Sequence, residues 1–310
     1  MPQINLLDPI FADKTWGNNQ AINEFLGENI PFKLTVGEIF LASGLPERST
    51  NMEGKPLHDI FNDTNNRTKI FGEVFKNRDE FPFLLKFLAV REPLSLQVHP
   101  SDELIGNKRI PGKTEGWWAV TASKVLCGFK PGFNKDDFAK LIKEGFFEQK
   151  HPVADLENFM NLVELAKGEA IYVESGTVHA ILEGNLLEPQ QPSNTTFRIY
   201  DWGRKKAARP LHLEHALAAL NYDSRPQKIE GTGVFFDKPN FKIEHLKVSG
   251  STTKELEIDR FHLILPIGQT IKANGITVPG GKCALITANT AAVTIEARQS
   301  TDIFIALAKN

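Results

Sequence analysis

Two cysteines in 310 residues, Cys127 and Cys283, leave no room for a disulfide framework or a thiolate zinc site, because they stand far apart and outside any C-x-x-C spacing. Both suit small core positions. An excess of charge is missing as well: 36 Lys and Arg stand against 38 Asp and Glu, a formal net charge of -2. That balance gives no electrostatic footprint for nucleic acid or an anionic membrane surface, so an anionic ligand must be met by a local cluster. Long hydrophobic runs are absent too. The most apolar stretch, "FPFLLKFLAV", is short and carries Lys86. The N-terminus "MPQINLLDPIFADKTWGNN" has neither a basic segment nor a continuous apolar one. These absences predict a cytoplasmic protein without nucleic-acid or membrane partners, either a monomer or a weak homodimer.

What is present is a globular composition, 41% hydrophobic and 24% charged, at a length that favours about two domains. After a helical start, "GEIFLAS" and "FPFLLKFLAV" alternate as strands, with amphipathic pieces "LHDIFND" and "KIFGEVF" between them. "LSLQVH", "GWWAVTA" and "KVLCGFK" continue the β pattern. A helical insertion over about 131–160 follows, with Asn134 as N-cap, acids in its first turn and Gly145 as its stop. Strands resume in "NLVELAKGEAIYVESGTVHAIL" and "TTFRIYDW", and "LHLEHALAALN" after Pro210 is one helix. From about 231 onward the chain is short strands separated by turns such as "VSGST" and "PGG". The expected division is a domain over 1–230 and a β-domain over 231–310. A weak internal repeat sets "GEAIYVESGTVHAIL" against "NGITVPGGKCALITA". Aligning Gly176 with Gly281 puts Ala284 opposite His179, and this suits two copies of a jelly-roll barrel of which the second lacks the histidine.

Chemistry concentrates in three places. In "LSLQVHPSDE", Gln97 and His99 lie two apart on a strand and so share a face. Glu115 in "GKTEGWW" feeds the apolar strand that begins at Trp117, and His179 in "ESGTVHAI" follows the turn at Gly176. Singly, these are a polar strand face, a solvated turn acid and a core histidine. Together they make a set of two imidazoles, one carboxylate and one amide, without sulfur, which suits a catalytic zinc or another divalent transition metal better than a structural one. A competing pair, His212 and His215 in "LHLEH", shares a helix face but has no third ligand in view. The expected outcome there is a half-buried His212 and a solvated His215.

These residues resemble a family, the type I phosphomannose isomerases in their short bacterial form. The resemblance rests on "LSLQVHP", "GKTEGWW", and "GTVHAI" with the downstream "LLEPQQPSNTTFRIYDW", and it covers most of residues 1 to 225. It implies a mainly β fold of cupin-type jelly-roll barrels in two β-domains, the C-terminal one without metal ligands, and one Zn2+ per chain held by Gln97, His99, Glu115 and His179. Two positions depart from the family pattern, Ser101 in place of a usual Asp and Gly116 after the ligand Glu, and neither is an implied ligand.

The implied reaction interconverts mannose 6-phosphate and fructose 6-phosphate through a cis-enediol. Lys113 and Glu188 are each readable as surface charges, but the resemblance places both in the active-site pocket together with Arg198. Arg198, with its fixed charge and planar fork of donors, is expected to hold the enediolate oxygen or the phosphate. Lys113 or Glu188 is expected to carry the proton. Ser95, on the same strand face as Gln97, is expected to donate to substrate along with Lys113. The run Arg204, Lys205 and Lys206 is expected to be an exposed basic turn. Two other classes remain open: a non-catalytic cupin that binds a sugar phosphate, and an iron oxygenase, which the amide ligand Gln97 suits less well.

Overall fold

The computed structural model describes residues 3–105, 108–204 and 209–309. Mainly strands, with few helices, it divides into two compact units. One comprises Met1–Ala89, Glu188–Pro192 and Glu230–Asn310, the other Val90–Leu187 and Ser193–Ile229. The shift in composition near residue 230 coincides with one passage between the units. Further passages between the units fall at 89/90, 187/188 and 192/193. No helix among the described residues is long and apolar enough to cross a membrane.

In the first unit the start of the chain is extended, not helical. Ile4–Asp8 is a strand paired with Ala284–Ile286 in the register Ile4↔Ile286, and the helix comes only at Asn19–Leu26, capped by Asn18 and stopped by Gly27 in the left-handed region. A pairing partner about 280 residues away overrides the local pattern. The C-terminal strands are also longer than their turn signals suggest. Phe241–Glu255 runs antiparallel to Ala292–Ala308, and "VSGST" is no turn: Gly250, at φ 84°, is the site of a register shift within the strand. An aliphatic core fills this sheet, with Ile264, Ala284, Ile286, Val293 and Ile295 all fully buried.

The second unit is built so that one face of its strands packs and the other carries chemistry. Ser123–Phe129 pairs with the His179–Gln190 strand, which pairs at His179 with Leu96–Val98, which in turn pairs with Phe197–Tyr200. Alternation sends Leu126, Ala180, Leu96, Val98 and Ile199 into one apolar cluster. Packed on that cluster are the helical insertion, through Phe138, Phe147, Leu156 and Phe159, and the Leu213–Ala219 helix, through Ala216. The insertion follows its sequence signals: Asn134 closes a capping box with Asp137 over Lys135–Lys143, and Gly145 takes φ 68° just beyond. Burial of large rings such as Phe138 anchors it, each stabilising by about 2–3 kcal/mol.

Candidate metal centre

The opposite face of the same strands holds a row of four residues across four strands: Cys127, His179, Gln97 and Arg198 stand side by side in the ladder. Neighbouring strands lie about 4.8 Å apart, so His179 and Arg198 flank Gln97 at close range. His99 follows the Gln97 strand, and Glu115 opens the Glu115–Ala119 strand, paired with Val173. His99, Glu115 and His179 are each about 1% exposed, and their ligating atoms all lie within 4.8 Å of one another. Three of the four residues read from the sequence as a donor set therefore meet at one buried point.

Ring orientations explain how. His179 Nδ1 donates to the Thr177 carbonyl at 2.8 Å, and His99 Nδ1 donates to the Thr195 carbonyl at 2.8 Å. Each backbone carbonyl fixes the tautomer that leaves Nε2 as a lone pair, and both Nε2 atoms face Glu115, at 3.5 Å from Oε2 for His99 and 3.4 Å from Oε1 for His179. Gln97 Nε2 donates to His179 Nε2 at 3.2 Å, while Ser95 Oγ donates to Gln97 Oε1 at 3.3 Å. Rotating that amide by half a turn presents its oxygen at the same place, since O and N are told apart only by their partners. Ser95, expected to touch substrate, thus holds the Gln97 side chain.

Lone pairs from two imidazoles and a carboxylate, converging out of water, repel one another unless a cation stands among them. Lys113 is such a cation: its Nζ donates to His99 Nε2 at 3.0 Å and forms a tight ion pair with Glu115. Burial, reinforced by the Lys113 charge, pushes the His99 imidazole down to about 3, and burial likewise lowers His179, so both are neutral imidazoles near pH 7. Burial by itself raises the Glu115 carboxyl, but the Lys113 ammonium beside it outweighs this and holds the group well below the usual range. The donor set is neutral N, neutral N and anionic O, with an amide beside it. It fits a divalent transition metal of zinc type with a position left for a ligand.

The remaining predicted residues are placed as follows. Arg198 is half-buried, its Nη1 donating to the Pro210 carbonyl at 3.2 Å. Glu188 lies on the same strand as His179 but belongs to the first unit, where its buried carboxylate stands 3.6 Å from Lys86 Nζ, a partner the sequence reading did not single out. His212 is half-buried and His215 exposed, and neither joins a metal-type group among the described residues. Arg204 pairs with Asp201 at 2.7 Å, while Lys205 and Lys206 lie outside the described residues. The sequence reading also missed the Thr195 carbonyl, for which no local signal exists, and the grip of the turn before His179. There Gly176 N–H donates to the His99 carbonyl at 2.8 Å, and Ser175 Oγ meets Thr114 Oγ1 at 3.0 Å, so one turn ties together the segments of all three converging ligands.

Fold and site define a mainly β protein with a buried nitrogen and oxygen donor cluster on the strands of one unit. Comparison with known proteins then narrows the class. Residues 4–132 match the family model described as phosphomannose isomerase type I, catalytic domain. The mannose-6-phosphate isomerase ManA of Bacillus subtilis is 31% identical over 234 residues, 71% of this chain and 69% of that protein. The crystal structure of the mannose 6-phosphate isomerase from Bacillus subtilis superposes with a TM-score of 0.79 at 25% identity, covering 98% of this chain and 99% of that one. A mannose 6-phosphate isomerase solved with zinc and yttrium shares the fold at TM-score 0.76 and 17% identity, with both chains fully covered. The chain belongs to the type I phosphomannose isomerase family, and its architecture is the cupin type of that family.

Proposed function

We propose that the chain is a zinc-dependent aldose–ketose isomerase that interconverts mannose 6-phosphate and fructose 6-phosphate through a cis-enediol. The convergence of His99, Glu115 and His179, with Gln97, on one buried point carries the reading. Gln97, His99, Glu115 and His179 would hold a zinc ion, which would supply a Lewis acid for a sugar oxygen, worth several kcal/mol against charge developing in the transition state. The other steps belong to the chain. The isomerisation moves one proton between C1 and C2 and another between the two oxygens, so a titratable group must lie against the reacting atoms. Lys113, buried beside Glu115 and His99, is the proton carrier in contact with the cluster. Glu188, acidic and buried beside Lys86, is the alternative carrier. Arg198 stands next to Gln97 in the ladder, and its fixed charge and planar fork of donors suit it to hold the enediolate oxygen or the phosphate. The substrate is the small sugar phosphate alone.

The test is a coupled isomerase assay on chelator-stripped protein and on the same protein restored with one equivalent of zinc. Stripping abolishes turnover and zinc restores it. Fully zinc-loaded protein that never equilibrates the two hexose phosphates overturns the reading and leaves a sugar-phosphate-binding cupin.

A further inference from the structure

His212, considered above as half of a second metal pair, has another partner. It occupies the N-cap position of the Leu213–Ala219 helix, yet its side chain makes no capping bond. Histidine is not among the residues favoured for that position, where Ser, Thr, Asp or Asn would satisfy the first turn. Instead the ring turns to Arg198. The Arg198 backbone N–H donates to His212 Nδ1 at 3.1 Å, and the His212 backbone N–H donates to the Arg198 carbonyl at 2.7 Å. This reciprocal pair does for the outer edge of the Phe197–Tyr200 strand what a neighbouring strand would do. Two residues earlier, the Pro210 carbonyl accepts from Arg198 Nη1 at 3.2 Å. One short segment thus holds Arg198 by both backbone groups and by its side chain.

The consequence appears on the other side of the strand. Because the backbone groups of Arg198 point to His212, Arg198 and Gln97 face each other as a non-hydrogen-bonded pair, the kind in which Cα atoms come to about 4.5 Å and side chains lie closest. In such a pair the side chains of Arg198 and Gln97 leave their strands on the same face, so what holds the Arg198 backbone bears on where its side chain starts.

We propose that His212 is a positioning residue for the isomerase reaction: by accepting the Arg198 N–H on Nδ1 it fixes the register that holds the guanidinium beside the metal centre. The proposal rests on the role given to Arg198 above. The bond requires a neutral ring, since an imidazolium has no acceptor at Nδ1. Burial, with the charge of Arg198 and then His215 adding to it, lowers the His212 pKa below the ordinary imidazole value, and these are the two charged or titratable groups acting on the ring from the strand and from its own helix. Neutrality at pH 7 follows.

The experiment compares His212→Leu, which removes the acceptor, with His212→Asn, whose side-chain oxygen can accept the same N–H. Zinc affinity, kcat, KM and the pH profile are measured for each, with Arg198→Ala as control. A small displacement of a positioned group costs roughly tenfold to a hundredfold in rate, and His212→Leu is expected to lose that much in kcat with zinc affinity unchanged. His212→Asn should recover most of the rate and shed an acid limb that the wild type shows below the ordinary imidazole range. The proposal is overturned if His212→Leu retains wild-type kcat and pH profile, if His212→Asn is as impaired as His212→Leu, or if rate and zinc affinity fall together in both. An Arg198→Ala enzyme with undiminished kcat would instead refute the role of Arg198 itself, so the two failures are distinct.

Discussion

Two strand–turn–strand segments of the molecule share a backbone and differ in what they enclose. In one, Ala170–Val173 leads through Gly176, at φ 86°, into a strand whose first residue is His179. In the other, Ile276–Val278 leads through Gly281, at φ 74°, into a strand whose first residue is Ala284. The alignment made on sequence alone thus agrees with where each strand begins. The core cluster that holds Ala284 is aliphatic, built from residues such as Ile4, Ile264, Ile286, Val293 and Ile295. Around His179 are a carboxylate, a second imidazole, an ammonium and an amide, each costly to bury and each satisfied by another. A turn of this kind tolerates either interior. The polar one exists for its chemistry, because an aliphatic filling does the structural work as well.

Making the first segment like the second should have the largest effect. His179→Ala removes a converging ligand and is expected to lower kcat/KM at least about a thousandfold, since a metal contributes several kcal/mol to the transition state and each 1.36 kcal/mol is tenfold. Zinc titration of the variant should show loss of stoichiometric binding. The reverse change, Ala284→His, should bring no zinc, because among the described residues the metal-type group is His99, Glu115 and His179 and does not include this position. Zinc retained by His179→Ala with normal turnover would break the comparison.

Lys113→Met probes the interdependence of the polar interior. As proton carrier, Lys113 should be worth about 10² to 10⁴ in kcat. Its loss also leaves Glu115 as a buried anion without its ammonium partner, which costs about 3–5 kcal/mol in the zinc-free protein. Added zinc should return most of that stability and none of the rate. Denaturant melts with and without zinc, beside the isomerase assay, separate the two effects. Equal stability in zinc-free wild type and variant would show that the ion pair does not matter to the fold. On the aliphatic side, Ile295→Ala should cost about 2–5 kcal/mol of stability by leaving a cavity, and leave kcat per folded molecule unchanged.

The same contrast governs what could be seen in the sequence. Gln97, His99, Glu115 and His179 were legible because a strand's period of two and a glycine turn put rare polar residues on faces otherwise apolar. The helical insertion was legible through Asn134 and Gly145, which act within one turn of themselves. What was hidden depends on pairing at long range: the first strand against Ala284–Ile286, Lys86 beside Glu188, and the Thr195 carbonyl under His99. His212 was legible as half-buried and outside any metal pair, but its partner was not. Helical periodicity showed a pair of histidines on one face, whereas its actual partner is a backbone N–H on a strand 14 residues away.

The smallest effect concerns a buried imidazole outside the cluster. His99 and His179 have partners on both ring nitrogens, but His262 in the first unit is 2% exposed and its Nδ1 has no hydrogen-bond partner among the described residues. Burial pushes it down to about 4, with Glu257 opposing and Arg260 adding to the shift. Because the folded value lies below the ordinary 6.5, the unfolded chain takes up the proton first as pH falls. Stability should therefore be complete above about pH 6.5, decline between about 6.5 and 4, and level off below, a loss of up to about 3 kcal/mol from this group. His262→Phe, which cannot titrate, should flatten that part of the curve of stability against pH. Urea melts of both proteins between pH 7 and 4 measure it, and an unchanged slope in the variant would assign the acid sensitivity to the imidazoles of the cluster instead.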